Sequence, residues 1–174
     1  SCSYADVYDP VANSFSEVPM NFPHDAAAIV KLSDGRYFLI GGSEDLGVAP
    51  GYASTEVYDP ITGIFDTKAS MTMGRMQVGA AQLAGGDVLV VGGWYNPTGA
   101  ASAEIHDLSA NTFTVVTGSL NSPRANAIVL PTNDGGAIIA GGWPTYGGAS
   151  NTTVEYYNST NQSFSLVSTQ VIPT

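Results

Sequence analysis

A glycine pair closes an apolar run three times in this chain, at Gly41-Gly42, Gly92-Gly93 and Gly141-Gly142, at intervals of about fifty residues. A fixed period of that length means that each unit is one supersecondary motif. Such a motif cannot bury both of its faces alone, so the fold has to bury them between neighbouring copies. Other markers keep register with the pairs. Four segments align without gaps: ADVYDPVANSF (Ala5 to Phe15), TEVYDPITGIF (Thr55 to Phe65), AEIHDLSANTF (Ala103 to Phe113) and VEYYNSTNQSF (Val154 to Phe164). They share an acidic residue (Asp6, Glu56, Glu104, Glu155), a ring (Tyr8, Tyr58, His106, Tyr157) and a closing phenylalanine (Phe15, Phe65, Phe113, Phe164). His24, Arg75 and Arg124 each lie seventeen positions before the first glycine of a pair.

Each period reads as four short strands. In the middle one, QVGAAQL is small and apolar, and Gly85-Gly86-Asp87 is a tight hairpin signal. VLVVGG is a continuous β-branched run of the kind found in strands buried on both faces. A loop of roughly ten residues follows. AEIHD then alternates apolar with polar, turns through LSAN, and TFTVV alternates again. No segment sustains a 3.6-residue period, so an all-β chain without helices is expected.

Four-stranded units that stack around an axis form a β-propeller, which leaves few free strand edges. The glycine pair after an apolar strand, with the ring and the closing aromatic behind it, resembles the kelch repeat. Arg75 to Gly93, RMQVGAAQLAGGDVLVVGG, is most similar to the subtype of bacterial kelch proteins and of the central propeller of galactose oxidase-like enzymes. LSDGRYFLIGGS in the first unit fits the same pattern. The chain departs from that pattern where phenylalanine stands for the usual tryptophan of the fourth strand, and where His24 stands for arginine. The resemblance implies a partial kelch-type β-propeller. Its expected parts are an N-terminal two-stranded half-blade at 4–18 and full blades at 24–67, 75–117 and 124–168. Propellers usually have 4–8 blades, so further blades are expected from a longer chain or from other subunits. A ring of two copies does not add up, because it would bring eight outer hairpins to six inner ones.

Antiparallel order puts the long loops on one face: Ser43–Ala53, Trp94–Ser102, Trp143–Asn151 and the links ending at His24, Arg75 and Arg124. Long loops on a rigid scaffold are where binding usually lives. Tyr52, Trp94, Tyr95, Trp143 and Tyr146 fall on that face. Rings suit the C–H faces of sugars, and arginine forks suit carboxylates. The candidate ligand-binding set is therefore Trp94, Tyr95, Trp143, Tyr146, Tyr52, Arg75, Arg124 and His24. Four have a structural reading beside the binding one: Trp94 and Trp143 as covers over the seams between blades, Arg75 and Arg124 as bonds to loop carbonyls. The acidic series reads as a solvated or turn-bonding position.

The formal net charge is −10, which excludes the basic footprint that nucleic acid requires. Apolar runs of about five residues are far short of a membrane span, so no membrane insertion is expected. One cysteine, Cys2, offers neither a disulfide nor a CxxC metal pair. The copper-radical oxidases that the repeat resembles use tyrosines, histidines and a tyrosine-linked cysteine, and no motif here carries those ligands. No catalytic residue, metal or cofactor is expected. Asn151, Asn158 and Asn161 begin N-glycosylation sequons, which with the low lysine content point to a secreted or cell-surface protein. The expected function is a non-catalytic binding or structural scaffold that engages glycan or protein. The alternatives are the propeller part of a larger carbohydrate-active enzyme, with its catalytic residues elsewhere, and a structural subunit of a filament or coat.

Overall fold

The structure is a computed structural model that describes residues 3–44, 51–95, 98–144 and 148–168. The described residues are all-β, without helices. The chain opens with an antiparallel hairpin, β1 (Tyr4–Asp9) and β2 (Ser14–Pro19). Three four-stranded antiparallel sheets follow. The first holds β3 (Ala28–Lys31), β4 (Tyr37–Ile40), β5 (Thr55–Asp59) and β6 (Ile64–Lys68) in chain order. The second holds β7 (Gly79–Gln82), β8 (Val88–Val91), β11 (Ala103–Asp107) and β12 (Thr112–Val115). Between β8 and β11 a two-residue ladder, β9 (Trp94–Tyr95) with β10 (Thr98–Gly99), gives order to a stretch that the sequence reads as loop. The third sheet holds β13 (Ile128–Pro131), β14 (Ala137–Ala140), β15 (Val154–Asn158) and β16 (Ser163–Ser168).

The sheets stand side by side, with the first strands β3, β7 and β13 as neighbours. β8 shows why its sequence is apolar throughout: Val88, Leu89, Val90 and Val91 are each 0% exposed. Val88 and Val90 belong to one core with Val30, Phe38, Ile40 and Val57 of the first sheet. Leu89 and Val91 belong to another with Val129, Ile139 and Tyr157 of the third. Alternate side chains of a strand point to opposite faces, so one strand serves both cores. The outward faces of the two flanking sheets carry exposed apolar residues, Ile29 on β3 and Ile128 and Leu130 on β13.

The glycine pairs work at the seams. A Cβ at Gly41 would lie 2.2 Å from the Arg75 carbonyl oxygen, and one at Gly92 would lie 2.0 Å from that of Arg124. Only glycine permits this approach. The next glycine then donates its N–H to the same carbonyl, Gly42 to Arg75 and Gly93 to Arg124, each at 3.0 Å. A second set of bonds steps from sheet to sheet beside the first strands. The Gln77 N–H donates to the Ala26 carbonyl at 2.7 Å, and the Asn126 N–H donates to the Gln77 carbonyl at 2.6 Å. Ala26, Gln77 and Asn126 hold φ of +56°, +53° and +55°, a region costly for non-glycine residues, and inter-sheet bonds hold Gln77 and Asn126 there.

Candidate functional site

The loops between the second and third strands of each sheet meet the inter-sheet links at one end of the molecule. Isolated bridges pin them together: Asp25 with Ser43, Met76 with Trp94, and Ala125 with Trp143. This end holds every candidate that sequence reading placed on the long-loop face and that falls within the described residues.

The arginines and the histidine there are turned inward. Arg75 is 1% exposed. Its Nη1 donates to the carbonyls of Gly92 (2.7 Å) and Ser102 (3.2 Å), and its Nη2 to Ser102 Oγ (3.0 Å) and Glu104 Oε1 (3.1 Å). Arg124 is 0% exposed and repeats the pattern on Gly141, Thr153 and Glu155, with Nη2 2.6 Å from Glu155 Oε1. His24 follows suit, with Nδ1 2.6 Å from the Gly41 carbonyl and Nε2 3.1 Å from Glu56 Oε1. These groups tie each loop to its own sheet, the structural role weighed from sequence for the two arginines, and their polar atoms face protein. Burial pulls the Arg75 guanidinium below its usual value, and Glu104 pulls it back.

The acidic series differs from expectation in one respect. Glu56, Glu104 and Glu155 are each 0% exposed, not solvated. Besides the arginine or histidine, each carboxylate accepts a backbone N–H from the link that enters its sheet: Asn21 and Phe22 on Glu56, Thr72 on Glu104, Asn121 on Glu155. A buried carboxylate that collects such partners has its desolvation offset. Asp6, in the matching place on β1, is exposed.

The aromatic candidates separate. Trp94 is buried against Met76 and Ala125, with Ala26 packed beside them, and so covers the seams of the three sheets. Trp143 stays 37% exposed, and its Nε1 donates to Ser150 Oγ at 3.2 Å. Tyr52 is half-buried, and its hydroxyl donates to Glu44 Oε2 at 3.3 Å. Loss of hydration, then the Glu44 carboxylate, raises the Tyr52 hydroxyl above its ordinary value. Tyr146 and the side chain of Tyr95 lie outside the described residues.

Tyr52 is also one wall of a recess of about 390 Å³ formed with Phe22, Pro23, Ala53 and Ser54. Phe22 packs edge-on against His24, with centroids 6.5 Å apart. Ser54 Oγ is buried and finds no partner among the described residues. Sequence reading missed Phe22 and Pro23 because the link that carries them has no periodicity; their place just before His24 was the available signal. The side chains of the three sequon asparagines bond to residues two or three positions on. Asn151 Oδ1 accepts from Thr153 (N–H and Oγ1), Asn158 Oδ1 from the Thr160 and Asn161 N–H groups, and Asn161 Oδ1 from Ser163 (N–H and Oγ). No group of three or more His, Cys, Asp and Glu side chains gathers among the described residues.

The fold and this end of it define an all-β protein of four-stranded antiparallel sheets with loops gathered over one end. A solved structure titled "Structure of YjhT" is similar in fold, with a TM-score of 0.73 over 95% of this chain at 17% sequence identity. The chain spans 52% of that structure's chain, about half of its length. No protein-family model matches the chain, and no curated protein matches it.

Proposed function

We propose that the chain is a segment of a kelch-type β-propeller that serves as a non-catalytic binding scaffold at or outside the cell surface, and that its long-loop face takes a glycan. The observation that carries this reading is the ring-walled recess of Phe22, Pro23 and Tyr52. Two half-exposed rings and a proline offer a flat apolar floor to the C–H face of a sugar. The rim supplies a polar partner in the Tyr52–Glu44 pair. Trp143, exposed on the same face, is a second platform. The inward-turned Arg75, Arg124 and His24 hold the loops that frame these rings and are not part of this binding set.

A glycan array probed with the purified chain tests the reading. Any ligand found should lose about tenfold or more in affinity on Phe22→Ala and Tyr52→Ala, a difference of about 1.4 kcal/mol. Both variants should fold, because both rings are only half-buried. A ligand indifferent to both substitutions, or an array without a hit, refutes it. The alternative expected from the sequence, the propeller part of a larger carbohydrate-active enzyme, predicts turnover of the bound glycan by the native protein, which the scaffold reading does not.

A further inference from the structure

We propose that the recess of Phe22, Pro23 and Tyr52 selects a sugar that carries an ammonium group, such as the glucosamine units of a glycan whose amines bear no acetyl. The proposal rests on the glycan reading of this recess and adds the charge of the ligand to it. Three observations converge on that charge.

The first is where the cations are. The loops over this end, at 43–53, 92–102 and 141–151, contain no lysine or arginine. The links that enter the sheets bring Arg75 and Arg124, and both are buried on glutamates of their own sheets. His24 stands behind Phe22 with its two ring nitrogens on the Gly41 carbonyl and on Glu56. Lys68, at the end of β6 that pairs with Thr55, is held by Asp66. Lys31 and Arg36 flank the β3–β4 turn at the other end of the first sheet. An acidic sugar in the recess would lose hydration and meet no arginine fork in exchange.

The second is where the carboxylates are. Glu44 is exposed, and its Oε2 accepts the Tyr52 hydroxyl at 3.3 Å, so a carboxylate stands at the hydroxyl end of one wall. Asp25 is exposed too, and it is bridged to Ser43, the residue beside Glu44. Neither acid meets a Lys, Arg or His side chain among the described residues. Asp45 follows Glu44 in the sequence, and the whole chain carries a net charge of −10. That field draws cations toward the molecule and repels anions.

The third is the walls. The face of an aromatic ring attracts a cation held within about 6 Å of its centre. Phe22 and Tyr52 are both half-buried, so each keeps part of its ring for a ligand. An ammonium over Tyr52 lies within reach of Glu44, while the C–H face of the same sugar rests on Phe22 and Pro23. Acetylation removes the charge and with it both attractions. A carboxylate in the same place turns them into repulsion.

The probes are a chitosan oligosaccharide, its fully N-acetylated counterpart and a lysine peptide of matched charge, each titrated into the chain by calorimetry at low salt. The free-amine sugar should bind about fivefold or more tighter than either of the others. Glu44→Gln keeps an acceptor for the Tyr52 hydroxyl and removes only the charge, and Glu44 is exposed, so the variant should fold. It should shrink the preference over the acetylated form to about twofold or less, as should high salt. An acetylated form that binds as well as the amine, or a preference that survives Glu44→Gln, overturns the proposal. The glycan reading still stands in that case if Phe22→Ala and Tyr52→Ala abolish binding of both sugars. A lysine peptide that binds as tightly as the amino sugar reduces the effect to net charge and also overturns the proposal. Binding of neither sugar overturns it as well, and the glycan array then decides the broader reading.

Discussion

Arg124 Nη2 sits 2.6 Å from Glu155 Oε1, and both side chains are 0% exposed. The same arginine bonds the carbonyls of Gly141 and Thr153, so one side chain joins the second strand, the long loop and the third strand of its sheet. Removing one member leaves a buried charge unpaired, which costs about 3–5 kcal/mol. Arg124→Met and Glu155→Gln should each lower stability on that scale in urea unfolding. The double variant should cost less than the sum of the two.

Trp94 and Trp143 occupy matching places but differ in surroundings. Trp94→Ala should open a void beside Met76 and Ala125 and cost about 3–5 kcal/mol. Trp143→Ala should cost about 1 kcal/mol or less, because that ring is 37% exposed. Thermal unfolding of the two variants side by side checks the contrast.

His106 makes stability depend on pH. It is 1% exposed between Phe38 and Phe113. Burial lowers its pKa from 6.5, against the opposing pull of Asn111, Asp107 and Asp87, while Lys68 adds to the lowering. The folded ring therefore binds a proton more weakly than the unfolded one. The stabilisation is complete above the ordinary value of 6.5 and is lost as pH falls from there through the lower folded value. His106→Tyr, which restores the ring found at Tyr58 and Tyr157, should flatten the decline in the urea midpoint between about pH 7 and 5.

Gly92 and Gly141 share a role in sequence but differ in space. A Cβ at Gly92 would meet the Arg124 carbonyl at 2.0 Å, whereas one at Gly141 meets nothing within 4 Å. Gly92→Ala should cost about 3 kcal/mol or more. Gly141→Ala should cost only the strain of its φ of +67°, about 1–2 kcal/mol. Urea unfolding of the two variants measures the difference.

The strands were legible because their apolar residues alternate, or run unbroken where both faces are covered, as at Val88–Val91. The glycine pairs were legible because few other residues allow a positive φ followed by close approach. The partners of the two arginines were not. Arg75 reaches Gly92, Ser102 and Glu104. Chain spacing does not say whether such a side chain turns inward to its own loops or outward to a ligand. Glu56, Glu104 and Glu155 read as solvated because a regularly spaced carboxylate usually is; here the links supply donors that no local pattern announces. Phe22 and Pro23 escaped notice for a related reason, since a recess joins residues that are distant in the chain.

β8 is clasped by neighbours on both faces and both edges, whereas β3 and β13 each have one face toward solvent. Thermal fluctuations should therefore begin at the two ends and travel toward the middle. The amides of Val88–Val91 should be the last to trade their protons for deuterons, setting the clock for whole-molecule opening.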